Sequence, residues 1–307
     1  MKLLITGASG LFGSKLAEMA MTKGCEVYSG YNQEEPAFGT PIQFDIVNEN
    51  RVKEVFKKLN PTVVVHAASL TDVDKCETNR ALAWKINVEG TKHIAIATKA
   101  SYAFLVYIST DYIFNGEAGQ YKETDSPDPI NYYGLTKLRA EEIVKDLMND
   151  YCIARPSVIY GSHATADKIN FALWVLNKLN RNEHAKVVAN QWNSPTLNTS
   201  LAAMTLEIIK RKLTGLFHLS GATRISRYEF AKLIAQTFNL NEDLIVPSTL
   251  SEFSWAAKRP TDSSLNTSKA QQTLRTKPLY IHEALEQFKL ELTQKKKNTA
   301  KSSATSC

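Results

Sequence analysis

Cysteine is scarce and scattered in this chain. Its four copies, Cys25, Cys76, Cys152 and Cys307, form no C-x-x-C pair. Neither a disulfide framework nor a cysteine zinc site is expected, and a reducing cytoplasm is the compartment that suits them. The six histidines lack an H-E-x-x-H or similar spacing, which leaves no metal site to argue for. No apolar run approaches the roughly 20 residues needed to cross a bilayer. Met1 leads directly into a strand-like run, so no cleaved signal peptide is expected. A strong charge of one sign is also missing. The formal net charge is +6, but Lys295, Lys296, Lys297 and Lys301 supply four of it, and without them it is +2. No nucleic-acid partner is therefore expected. Residues 293–307, which hold those lysines, lack hydrophobic periodicity and are expected to form a disordered, solvated tail.

What the chain does have is rhythm. Strand-like runs at residues 3–6, 26–29, 42–44, 63–67, 104–109 and 151–154 alternate with helical patterns at 11–23, 49–59, 79–99 and 132–149. This order implies an α/β fold, a doubly wound parallel sheet covered on both faces. After about Arg155 the rhythm breaks into helices separated by short strands. Residues 1–155 read as a dinucleotide-binding domain. Residues 156–292 read as mainly a substrate-binding cap, partly woven back into the core.

The first strand runs into Gly7, Gly10 and Gly13 at G-x-x-G-x-x-G spacing, just where a helical pattern begins. Such a turn lets the backbone approach a pyrophosphate closely, and the helix amides meet its charge. The candidate cofactor contacts there are Gly7, Ser9, Gly10, Leu11, Phe12 and Gly13. An NAD-selective site usually ends its second strand with a carboxylate, but here Ser29 leads into Gly30, Tyr31 and Asn32. With no carboxylate before Glu34 and Glu35, Ser29, Tyr31 and Asn32 remain as neutral donors. NADP(H) is favoured and NAD(H) is accepted. Asp45 and Ile46 follow the third strand; Asp45 either accepts from an adenine amino group or caps a helix. Ala67, Ala68 and Ser69 end the fourth strand with small residues, suited to a cofactor lying close or to tight packing. Asn87 is read as orienting a strand or bridging a water beneath Lys137, or as an ordinary polar helix residue. His66, inside an apolar strand, is expected to be a satisfied core histidine.

Tyr133 and Lys137 lie four residues apart, on one face of a helix. The preceding strand ends in Ser109 and Thr110, at the sheet edge where ligands bind in such folds. These groups suit carbonyl reduction. Tyr133 can donate a proton, and a nearby Lys137 ammonium can lower the phenol pKa and hold the nicotinamide ribose. Ser109 or Thr110 can hold the substrate oxygen.

Gly7-x-x-Gly10-x-x-Gly13, Ser109-Thr110-Asp111-Tyr112 and Tyr133-x-x-x-Lys137 together resemble the extended short-chain dehydrogenases/reductases. Thr71-Asp-Val-Asp-Lys-Cys-Glu77, Asn190-Gln-Trp-Asn-Ser-Pro-Thr196 and Arg259-Pro-Thr-Asp262 narrow the likeness to the dTDP-4-dehydrorhamnose reductase family, archaeal-type members above all. The resemblance implies reduction by NAD(P)H of the C4 keto group of a dTDP-6-deoxy-hexulose. It makes Thr110, Tyr133 and Lys137 catalytic, with Thr71, Thr110, Tyr112 and Arg259 toward the substrate. Arg259 is the expected diphosphate cation, with a surface salt bridge as its alternative. The expected partner is a nucleotide sugar, and a homodimer stays open. His66 and Asn193 depart from the family's usual Asn and Gly. Sugar-nucleotide dehydratases carry Thr-Asp-Glu where this chain has Thr110-Asp111-Tyr112, so dehydration is disfavoured. Two alternatives remain: a nucleotide-sugar epimerase, and a non-catalytic cofactor-binding protein resembling the beta subunit of methionine adenosyltransferase.

Overall fold

The structure is a computed structural model and describes residues 1–162 and 169–304. Six parallel strands come from the first half: β1 (Lys2–Thr6), β2 (Glu26–Tyr31), β3 (Thr40–Gln43), β4 (Val63–His66), β5 (Phe104–Ile108) and β6 (Tyr151–Arg155). A seventh, Gly215–His218, returns from the second half and pairs in parallel with β6. From that strand the order runs β6, β5, β4, β1, β2, β3. The chain direction across the sheet reverses between β1 and β4, and ligands bind beyond the carboxyl ends of strands at such a switch point.

Side chains alternate across the strands, so each strand feeds two cores. Leu3, Ile5, Val65 and Val106 pack on one face, and Leu4, Val64, Leu105 and Ile153 on the other. The intervening helices are α1 (Leu11–Thr22), α2 (Glu49–Leu59), α3 (Val73–Thr78), α4 (Arg80–Trp84), α5 (Gly90–Ala100) and α6 (Tyr132–Leu147). The single helical pattern read over 79–99 is split: a π-helical turn, Lys85–Glu89, separates α4 from α5. Asn87 sits inside it, where its side chain serves the end of β4 rather than solvent.

The second half supplies α7 (Phe171–Asn180), α8 (Asn198–Arg211), α9 (Arg227–Thr237), α10 (Ser268–Thr273) and α11 (Ile281–Ala304). α8 lies against α1, so it belongs to the core layer. A separate apolar cluster around Val175, Phe230, Ile234, Leu285 and Phe288 joins α7, α9 and α11 into a cap. The tail expected to be disordered from residue 293 is helical to Ala304. Its apolar anchors, Ile281, Ala284, Leu285 and Phe288, lie in the first half of α11. No glycine or proline interrupts residues 281–304, so the helix propagates past its buried half. Cys307 lies outside the described residues. Among them, Cys25, Cys76 and Cys152 form no disulfide, and no helix is long and apolar enough to cross a membrane.

Candidate active site

The cradle forms where β1 meets α1. Gly7 takes φ +70°, a left-handed conformation that favours glycine. A Cβ there would stand 2.7 Å from the Ala68 amide nitrogen, so the glycine turn lies directly against the backbone of Ala67 and Ala68. Gly13 is shut in against the Gly7 carbonyl, whereas a Cβ on Gly10 would meet only that carbonyl, at 3.2 Å. The other neighbours of Gly10 leave space that a branched side chain would fill. α1 starts at Leu11 with no side-chain cap, so its first amides are the kind that anions satisfy. These observations fit a dinucleotide pyrophosphate. Phe12 turns its ring into the core, so only its backbone is available. Ser9 is half-buried in the turn.

Tyr31 and Asn32 stand at the end of β2, with Asn32 exposed. Ser29 does not join them: it is buried and donates to the Phe38 carbonyl at 2.6 Å. Asp45 accepts from the Val47 amide at 3.0 Å, and the helix that follows is capped by Asn48 instead. Ile46 is buried against Gly90.

Asn131 places the catalytic helix. Its carbonyl oxygen accepts from the Gly134 amide at 2.8 Å, and its amide donates to the Lys258 carbonyl at 3.0 Å. A Cβ on Gly134 would lie 2.0 Å from the Tyr112 carbonyl. The first turn of α6 can therefore press onto the chain after β5 and bring Tyr133 to Thr110 and Tyr112. The Tyr112 and Tyr133 rings meet edge to face, 6.1 Å apart. Both phenols are raised above the ordinary range, chiefly by burial. A smaller downward pull on Tyr133 comes from the neighbouring Thr110 hydroxyl.

The Lys137 ammonium donates to the Ile108 carbonyl at 2.7 Å and lies 4.3 Å over the Tyr107 ring. Burial pushes Lys137 down to about 7, against a smaller upward pull from Glu141, so desolvation outweighs the partner charge. Behind it, the Ser109 hydroxyl donates to Glu141 at 2.5 Å, and Arg155 grips the same carboxylate at 2.8 and 2.6 Å. The Ser109 proton is thus committed inward, which leaves Thr110 as the hydroxyl beside Tyr133.

Asn87 ties these parts together. Its oxygen accepts from Ser69 at 3.0 Å and the Leu70 amide at 2.8 Å, and its nitrogen donates to Thr136 at 3.0 Å. It orients the chain leaving β4 against α6. His66 lies between Thr6 and Thr91, 2.7 and 3.0 Å from their hydroxyls, and burial pushes it down to about 3. It is a satisfied, neutral core histidine.

On the substrate side the expected residues scatter. Thr71 is exposed just ahead of α3. Arg259 pairs with Asp74 at 2.7 Å, donates to the Ala257 carbonyl at 3.0 Å and lies 5.2 Å over Trp255. That pair is half-buried between the cap and α3. Sequence reasoning missed Asp111 and Glu141. Glu141 had a signal, since it lies one helical turn after Lys137. Asp111 had none: it accepts from Ser157 at 2.7 Å and Ser263 at 2.6 Å, residues 46 and 152 positions away. Those bonds clasp the catalytic strand end to the cap, and burial raises the Asp111 pKa.

Residues 1–294 match the RmlD substrate binding domain family. The chain belongs to that family. It is 32% identical over 273 residues to the probable low-salt glycan biosynthesis reductase Agl14 of Haloferax volcanii, covering 88% of this chain and 91% of that one. The crystal structure of dTDP-4-dehydrorhamnose reductase from Bacillus anthracis in complex with NADP superimposes with a TM-score of 0.85 at 34% identity, over 95% of this chain and all of that one. The methionine adenosyltransferase 2 subunit beta of Bos taurus is 30% identical, covering 87% of this chain and 81% of that one. With the glycine cradle and the Thr110, Tyr133 and Lys137 cluster, this membership makes the protein an NAD(P)-dependent oxidoreductase.

Proposed function

We propose that this protein reduces the C4 keto group of a nucleotide-linked 6-deoxy-hexulose, dTDP-4-dehydrorhamnose foremost, with NADPH favoured and NADH accepted. The observation that carries this reading is the Tyr133 phenol beside the Thr110 hydroxyl, with Lys137 one helical turn behind it at the carboxyl end of β5. The reduced nicotinamide, when bound, supplies the hydride. Tyr133 gives the proton to the carbonyl oxygen; burial keeps its phenol protonated, which is the form a donor needs. Thr110 accepts from the Tyr112 amide at 3.2 Å and donates to Asp111 at 3.1 Å, so its own proton is committed and Tyr133 is the donor. Lys137, near 7, can return a proton to Tyr133 at neutral pH.

Asp111 is held by two serine hydroxyls and Tyr112 follows it, which argues against the acid–base pair of a dehydratase. The neutral turn of Tyr31 and Asn32 supports tolerance of a 2′-phosphate. The rival reading is a non-catalytic cofactor-binding subunit, and the similarity to the methionine adenosyltransferase beta subunit favours it. The test is NADPH consumption by the purified protein, with and without dTDP-4-dehydrorhamnose. Sugar-dependent oxidation supports the reductase. NADPH binding without turnover on dTDP-, UDP- or GDP-linked keto sugars, alongside a stable complex with a synthetase, supports the rival.

A further inference from the structure

Two guanidinium groups act on the Tyr112 phenol, those of Arg227 and Arg259. They are held in different ways. The Arg259 fork is spent on Asp74 and the Ala257 carbonyl. Arg227 opens α9 and is half-buried. Its Nε donates to the Gln191 side-chain oxygen at 3.0 Å, and its guanidinium lies 5.1 Å over the Phe171 ring. Among the described residues no carboxylate lies within ion-pair distance of it, and neither Nη group forms a hydrogen bond. A half-buried guanidinium balanced only by an amide oxygen and a ring is under-compensated, and its two free Nη groups match a pair of phosphate oxygens.

The support beneath Arg227 is rigid. Gln191 is buried, donates to the Pro260 carbonyl at 3.1 Å, accepts the Arg227 amide on its own carbonyl at 3.0 Å and pulls the Tyr112 phenol pKa slightly down. The α9 amides do not compete for an anion, because Ser226 and Glu229 close a capping box there, each accepting the other's backbone amide at 3.1 Å. The Tyr112 ring in turn meets Tyr133 edge to face. An anion held beside Tyr112 therefore belongs to the ligand whose reacting carbon faces Tyr133.

We propose that Arg227 receives the diphosphate of the nucleotide sugar, and that Arg259 is the tether that fixes the cap to α3. The inference rests on the nucleotide-sugar reading above. It reassigns the diphosphate cation from the residue the family resemblance implied to one the sequence did not mark.

The test is titration calorimetry of the full chain with dTDP, UDP and GDP, with NADPH as the control ligand. Arg227→Gln is expected to weaken the preferred nucleoside diphosphate about tenfold or more, with NADPH affinity within about twofold of wild type. Arg259→Gln is expected to cost the diphosphate less than Arg227→Gln does. An Arg227→Gln protein that binds NADPH normally and holds the diphosphate within about twofold of wild type overturns the inference. If Arg227→Gln loses NADPH as well, Arg227→Lys decides, since it keeps the charge and loses the fork. A severalfold loss of diphosphate affinity in Arg227→Lys supports the inference, and no loss overturns it. A wild-type protein that binds none of the three diphosphates fails differently: it removes the nucleotide-sugar reading, and this inference with it.

Discussion

The strand half and the cap half hold their polar site groups by different means. Around β4, β5 and α6, Lys137, Ser109, Thr110 and Asn87 each have a partner inside the fold. In the cap, Arg259 is ion-paired and Arg227 is not, although both pull the Tyr112 phenol pKa down. A group with all its partners in place is preorganised for chemistry, because nothing must move for it to act. A cation short of partners is suited to binding, because the ligand completes it. On the function proposed above, catalysis falls to the strand half and grip on the substrate to the cap.

The largest effect that could break this division is at Tyr133. Tyr133→Phe should lower kcat by about a hundredfold or more while the NADPH Kd stays within about twofold, because only the transition state loses its donor. Normal turnover would move the proton donor elsewhere. Gly10→Val comes next. It should weaken NADPH about tenfold or more, roughly 1.4 kcal/mol, with the circular dichroism spectrum retained. Unchanged cofactor titration in a folded variant would remove Gly10 from the cradle.

Smaller effects sharpen the cap side. Arg259→Gln removes the pair with Asp74, which is only partly buried, so a loss of about 1 kcal/mol or less is expected, a few degrees in Tm. A Tm unchanged to within error would mean that the pair is no tether. The pH dependence of stability probes the strand half. His66 and His218 are both buried and pushed down to about 3. Between the ordinary histidine value near 6.5 and that of the folded state, the unfolded chain binds protons that the folded chain does not. Stability should therefore fall as pH drops from about 6.5 toward 3. Urea midpoints at descending pH should show the decline, and His66→Gln should make it shallower. An identical slope in His66→Gln would show that His66 does not titrate as the burial implies.

Local patterns were legible in the sequence. The glycine spacing, the Tyr133 and Lys137 pair and the β-α rhythm are all set within a few residues, and each is written in the order of side chains. The direction of the Lys137 ammonium was not legible, because it follows from burial under Tyr107 and the nearness of the Ile108 carbonyl. The Asp111 clasp to Ser157 and Ser263, and the choice between Arg227 and Arg259, depend on chain segments that meet only after folding. The helical course of α11 past residue 293 was missed because apolar periodicity marks burial, not helix formation.

The central claim is that this site delivers a hydride to C4 of a nucleotide-linked keto sugar. NADPH carrying deuterium at the transferable position, incubated with dTDP-4-dehydrorhamnose and the protein, tests it directly by NMR of the product. The account predicts deuterium at C4 of the dTDP-linked 6-deoxy sugar, with Tyr133→Phe suppressing it. Recovery of the keto sugar unlabelled, or of an epimer without deuterium, from a protein that binds both ligands would contradict it.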